Sequence, residues 1–168
     1  MLSEKLLVML NEQINHEFEA ANLYLSVAAY WADQGFPGFS KFFVAQAEEE
    51  RFHGMKIFHF VNELGAKAVI SGLPEPLQDF GGTPQATFEA ALTHEKSVTG
   101  LINKLLDRAH EEKHYATISF LQWFVDEQVE EESSFQEILD KLKIIGESGP
   151  GLYHLDRELG ARVFSPED

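Results

Sequence analysis

The segment Phe43–Phe60, "FVAQAEEERFHGMKIFHF", decides how the chain is read. Phenylalanines and small residues recur on one face of a helical pattern, yet Glu48, Glu49, Glu50 and His53 interrupt it. A bundle helix buries residues that alternate in steps of three and four. Counted that way, the stripe runs Phe43, Gln46, Glu50, His53, Ile57, Phe60, Leu64. A carboxylate and an imidazole three residues apart therefore fall on the buried face, in the middle of the helix.

Three other segments repeat the pattern. Helical periodicity with few breakers covers about 4–33, 38–65, 84–111 and 115–145. The first stripe is Leu10, Ile14, Glu17, Ala21, Tyr24, Ala28; the third is Phe88, Leu92, Glu95, Thr99, Ile102, Leu106, Ala109. The fourth is Thr117, Leu121, Phe124, Gln128, Glu131, Phe135, Ile138, Leu142. Each is apolar at its ends and polar near its middle. The interrupting residues lie within about three positions of the helix midpoints, roughly 5 Å at the helical rise. Central residues of equal-length bundle helices meet at one level whichever way each helix runs. Glu17, Glu50, His53, Glu95, Gln128 and Glu131 are expected to converge in one layer of the core.

The connections set the topology. Asp33-Gln34-Gly35-Phe36-Pro37-Gly38 is a helix stop and restart, and Thr83-Pro84 is an N-cap followed by proline at the first helical position. Glu112–His114 is a tight junction. Short first and third links make helices one and two, and three and four, antiparallel pairs. The middle link, about residues 66–83, is far longer than bundle loops require. A 28-residue helix is roughly 42 Å long, and eighteen extended residues reach up to about 60 Å. That link can cross the whole bundle and start helix three at the same end as helix two. After a glycine-rich hinge at 146–151, the piece "LYHLDRELGARVF" reads as a short fifth helix, about 149–162. The expected fold is all-α: a single domain over 1–168, with a four-helix bundle over about 4–145, one long crossover and a short C-terminal helix.

Composition narrows the chemistry. The chain has 168 residues, 44% hydrophobic and 24% charged, with a formal net charge of −15. That charge argues against nucleic acid as a partner and suits a protein that attracts cations. No apolar window is long enough to span a membrane, and the N-terminus lacks a basic-then-apolar leader pattern. With no cysteine, disulfides, iron–sulfur clusters and thiolate zinc sites are excluded, and a cytoplasmic setting is expected. Four ionised carboxylates cannot share a buried layer uncompensated, because each buried ion costs several kcal/mol and like charges repel. No lysine or arginine lies on the stripes. Two divalent cations would balance four glutamates, and oxygen-rich ligation with one imidazole suits iron or manganese. Tyr24, two turns from Glu17, could reach this layer with its hydroxyl, while Gln46 reads as a core polar partner one turn from Glu50. His16, His59, His94, His110, His114 and His154 read as surface or packing residues.

With these residues in view, the chain closely resembles the non-haem, bacterial-type ferritins. The likeness covers essentially the whole chain: "NHEFEAANLYL" in helix one, "EEERFHGMKI" in helix two, "HEKSVTGLINKL" in helix three and "FLQWFVDEQVEEE" in helix four. It implies the ferritin-like bundle and a di-iron ferroxidase centre with two Fe per chain. By position, Glu17, Glu50 and His53 would hold the first iron, and Glu50, Glu95 and Glu131 the second. Gln128 would lie beside the second, and Tyr24 matches the family's tyrosine near the centre. A third iron position maps onto Glu49, Glu127 and Glu130, with Glu131 at its edge. The resemblance implies oxidation of Fe2+ by dioxygen or peroxide and storage of Fe3+ mineral in a hollow 24-subunit homo-oligomer. In the family the final helix lines a channel on a symmetry axis; docking onto the chain's own bundle is the plain alternative. Haem-binding relatives carry Glu-x-x-His in helix four and a methionine after the helix-two glutamate. Here those positions are Gln128-x-x-Glu131 and Arg51, so no haem is expected. A small di-iron enzyme that activates oxygen or peroxide without storage is the alternative function.

Overall fold

The computed structural model describes residues 2–166. Its helices are α1 (Glu4–Asp33), α2 (Pro37–Glu63), α3 (Pro84–Glu111), α4 (Tyr115–Ile145) and α5 (Gly149–Leu159), with no strand among the described residues. Ser3 caps α1 by accepting from Leu6 N at 3.1 Å, and Thr83 caps α3 from Ala86 N at 3.2 Å. Gly35, with φ of 81°, makes the turn between α1 and α2 in a conformation that favours glycine. The α3–α4 junction uses Lys113 at φ 53° instead, which explains why the sequence marks that turn so weakly.

The long link crosses the bundle along α1. Asn11 and Asn15 use both ends of their amides on it. Asn11 donates to the Lys67 carbonyl at 3.3 Å and accepts from Val69 N at 2.8 Å. Asn15 donates to the Val69 carbonyl at 2.9 Å and accepts from Ser71 N at 2.8 Å. Further along, Ser26 donates to the Leu77 carbonyl, and Phe80 packs edge-on to Tyr30. Backbone groups that form no helix thus find partners on α1. The crossover delivers α3 to the end where α2 begins, with Phe88 against Phe39 and Phe43. This is the expected topology.

The core divides in two along the bundle. One apolar cluster gathers Tyr24, Trp31, Phe39, Phe43, Phe88 and Phe135. The other gathers Leu10, Ile14, Ile57, Ile102, Leu121 and Phe124. In every long helix the residues between these clusters are the polar ones picked out by the stripes.

The fifth helix docks on its own bundle, the plainer of the two expectations for it. Leu155, Asp156 and Leu159 are buried, and the Asp156 carboxylate accepts from Phe39 N at 2.8 Å in the first turn of α2. The helix ends at Leu159, three residues before the expected 162. At that point Gly160 meets Gly38 so closely that a Cβ on Gly160 would sit 2.9 Å from Gly38 Cα. Added to Gly38, a Cβ would lie 1.6 Å from the Asp156 carbonyl oxygen, whereas at Gly100 it would meet nothing within 4 Å. Gly38→Ala is therefore expected to cost about 1–3 kcal/mol through overpacking. Gly100→Ala, in a helix interior, is expected to stabilise by up to about 1 kcal/mol. Thermal unfolding of both variants, with limited proteolysis of α5, checks the pair.

Candidate metal centre

All six residues expected in the layer are buried: Glu17, Glu50, His53, Glu95, Gln128 and Glu131. His53, one helical turn after Glu50, turns Nδ1 toward Glu50 Oε2 at 3.4 Å and Glu17 Oε2 at 4.0 Å. Glu95 accepts from the Tyr24 hydroxyl on one oxygen and from Gln128 Nε2, at 3.3 Å, on the other. Gln128 Nε2 also reaches the Glu95 carbonyl at 3.1 Å. Glu131 accepts from Gln46 Nε2 at 3.0 Å, and Glu17 from Gln13 Nε2 at 2.7 Å.

Three glutamates thus have one neutral amide or hydroxyl donor or more, supplied from within the core. Gln46 was legible as a core partner. Gln13 was not, although it sits one turn before Glu17 on the same face and is itself buried.

These donors satisfy only part of the layer. Among the described residues, Glu17 Oε2, Glu50 Oε1, Glu131 Oε1 and His53 Nε2 are buried without a hydrogen-bond partner. Natural cores rarely leave such groups unpaired, and a set converging from three helices is what a cation would satisfy. Two groups of residues bring one ligand atom each to within 4.8 Å of one another: Glu17, Glu50 and His53, and Glu49, His53, Glu127 and Glu131. Glu95 is in neither group, both of its oxygens being turned to Tyr24 and Gln128. Glu130 is exposed and only lines the adjoining cavity, because Glu127 and Glu131 are one turn apart while Glu130 is rotated toward solvent.

Burial governs the protonation of the layer. It raises Glu50 well above the ordinary carboxylate range, reinforced by the charges of Glu95, Glu17 and Glu131. Glu17 is raised by burial too, and its hydrogen bond with Glu50 works the other way. A proton on Glu50 and a cation at Glu50 would relieve the same crowding of charge. Glu95 is pushed up to about 7 and Glu131 to about 8, in each case first by burial. Glu49 is pushed up to about 8 by burial and the Glu131 charge. Burial lowers His53 to about 3, so its imidazole is neutral and available as a ligand. Tyr24 is raised well above its usual value by burial and by Glu95, which keeps its hydroxyl a donor.

Of the histidines read as surface or packing residues, His94 is half-buried with its ring edge-on to Tyr24 at 5.9 Å, and His114 caps α4. One cation near the layer was missed altogether. Arg162, beyond α5, pairs with Glu49, and its charge lowers the pKa of both Glu49 and Glu131. The stripes hold no cation, but the tail brings one to them.

Residues 7–145 match the ferritin-like domain family. The chain belongs to the ferritin family. A bacterial non-heme ferritin of Staphylococcus saprophyticus is 45% identical over 168 residues, the full length of both chains. One from Staphylococcus aureus is 46% identical over 167 residues, 99% of this chain and all of that one. Among solved structures, a closed form of the Archaeoglobus fulgidus ferritin engineered by mutagenesis is 44% identical with a TM-score of 0.95, covering 98% of this chain and 100% of that chain. A humanized archaeal ferritin, also 44% identical, superposes with a TM-score of 0.96 over 99% of this chain and 100% of its own. Iron storage is the function of this ferritin.

The raised carboxylates give the protein a measurable pH signature. Between about pH 6.5 and 8 the folded state holds protons on Glu95, Glu131 and Glu49 that the unfolded chain has already released. Stability of chelated protein is therefore expected to fall as pH rises through this window. His53 is neutral in the folded state and half-protonated at pH 6.5 in the unfolded one, so it offsets only a small part of the loss. Thermal unfolding at pH 6.5 and 8.0 checks the sign, and Glu131→Gln is expected to flatten the dependence.

Proposed function

We propose that the polar layer is a ferroxidase centre feeding the iron store. Glu17, Glu50 and His53 hold one Fe2+, Glu50, Glu95 and Glu131 hold a second, and Glu50 bridges them. The observation that carries this reading is the layer itself: four buried glutamates and a neutral imidazole from four helices, with several ligand atoms unpartnered. Two irons at one place supply the two electrons that reduce dioxygen to hydrogen peroxide with two protons, leaving two Fe3+.

The protein's part is positional. Gln13 and Gln46 orient Glu17 and Glu131 from behind. Tyr24 and Gln128 hold Glu95, which must turn from them to ligate in full. Gln128 and Glu131, where a second histidine would bind more firmly, give a softer hold on the second iron and let Fe3+ leave for storage. A third cation is held beside the centre by Glu49, Glu127 and Glu131, with Glu130 on its approach.

We further propose that the chain works in the cytoplasm as a hollow homo-oligomer of 24 subunits, since one bundle encloses no room for a mineral. No helix among the described residues is long and apolar enough to cross a membrane. The oxygen-activating enzyme without storage fits less well. The cavity beside the centre is small, about 230 Å³, and sets Glu49, Glu127, Glu130 and Arg162 among Phe52, Trp123, Val163 and Phe164, so any organic substrate there meets four charged groups.

Aerobic addition of increasing Fe2+ to chelated protein, followed by gel filtration, tests the reading. Tens to hundreds of irons per chain should co-elute with a large particle. Glu50→Gln should slow the initial oxidation by at least about tenfold while leaving the particle intact. Saturation at two or three irons on a small species, or an unchanged initial rate in the variant, counts against the proposal.

A further inference from the structure

Beside His53 the bundle opens into a cavity of about 230 Å³. Glu49, Glu127 and Glu130 line one side of it, and Arg162 and Phe164 the other. The tail reaches this place because α5 is locked to α2 where Gly160 meets Gly38, and Arg162 follows two residues after Gly160. From there Arg162 Nη2 donates to Glu49 Oε2, and the guanidinium lies 4.8 Å over the Phe42 ring. Two residues on, the Phe164 ring packs 5.7 Å from Phe52. The tail is therefore pinned by an ion pair, a cation–π contact and an aromatic contact.

The carboxylate that Arg162 holds is also one of the four groups clustered within 4.8 Å, with His53, Glu127 and Glu131. A second observation marks that cluster as a cation position. Glu131, only 3% exposed, has a buried Oε1 without a hydrogen-bond partner, an acceptor that a cation in the cluster would satisfy. A guanidinium never deprotonates in a protein, so it is a fixed positive charge at one wall of the cluster. A divalent cation taking Glu49 as a ligand meets that charge at close range and must displace it.

We propose that Arg162 is a built-in competitor for the cation at Glu49, Glu127 and Glu131. Metal arriving there displaces the guanidinium and releases the tail, and the returning guanidinium helps to expel the metal. The position is thereby kept transient, a stage on the way out of the centre instead of a resting place. Arg162 is a positioning residue in this scheme. It ligates nothing, and it acts by sharing Glu49 with the metal. The inference rests on the reading of this cluster as a third cation site.

Anaerobic calorimetric titration of the assembled, chelated protein with Co2+ tests it without iron oxidation. Wild-type protein should bind one tight equivalent, a softer second and a still weaker third per chain. Arg162→Gln should tighten the third about tenfold, or 1.4 kcal/mol, and leave the first two unchanged. Arg162→Lys, which keeps the charge, should fall between. Phe164→Ala, which loosens the tail and keeps the arginine, should tighten the third by less. Hydrogen exchange of residues 161–166 supplies a readout that a passive tail anchor would not move: it should quicken in wild-type protein when the third equivalent binds. A third affinity unchanged or weakened by Arg162→Gln, with normal binding of three ions, overturns the competitor while sparing the site. Absence of a third class in both proteins removes the site and the inference with it.

Discussion

The structure depends on one electrostatic constraint: four glutamates share a layer from which two apolar clusters exclude water. Every carboxylate taken out of solvent must be compensated, and neutral donors can hold a carboxylate without cancelling its charge. Gln13, Gln46, Gln128 and Tyr24 supply hydrogen bonds to Glu17, Glu131 and Glu95. Glu50 receives no such donor, and burial together with three like charges raises it well above the ordinary carboxylate range. The residue least satisfied by the protein is the one placed between the two proposed irons. A core arranged for stability alone would have paired Glu50 or replaced it; this one leaves it to a proton or a metal.

Much of this was legible because bundle geometry is periodic. A Glu on a helix carries little information, but Glu17, Glu50, Glu95 and Glu131 fall on four independent stripes at matching depth, and the fold has no way to separate them. The length of the crossover fixed the order of the helices for a similar reason, since chain reach and helix length are both set by backbone dimensions. What escaped was information with no period. Arg162 lies 113 positions from its partner Glu49 and follows the last helix. Asn11 and Asn15 look like ordinary surface amides until the crossover runs over them. Gly38 reads as part of a helix start, although its missing Cβ is what lets α5 dock.

These unpredicted residues bear on the site through its supports. The stripes determine which groups meet in the layer; the tail and its anchors determine what charge stands beside them. Asp156 on the first turn of α2, with Gly38 against Gly160, fixes where the chain leaves α5, and so places Arg162 over Phe42 and against Glu49. A four-helix bundle truncated after α4 would keep every residue of the six-membered layer and lose the guanidinium that pairs with Glu49.

The layer and its flank therefore solve the same problem in different ways. Inside, burial favours the protonated form of Glu50, and a cation that binds there must replace that proton. On the flank, Glu49 faces a guanidinium that keeps its charge at any working pH, so a cation there must displace that fixed charge as well as the proton that burial favours on Glu49. The first arrangement favours retention and the second favours exchange. On the proposed route from the core to the cavity wall, an ion passes from groups that lack a partner to a group that already has one, a gradient that would direct it outward toward the store.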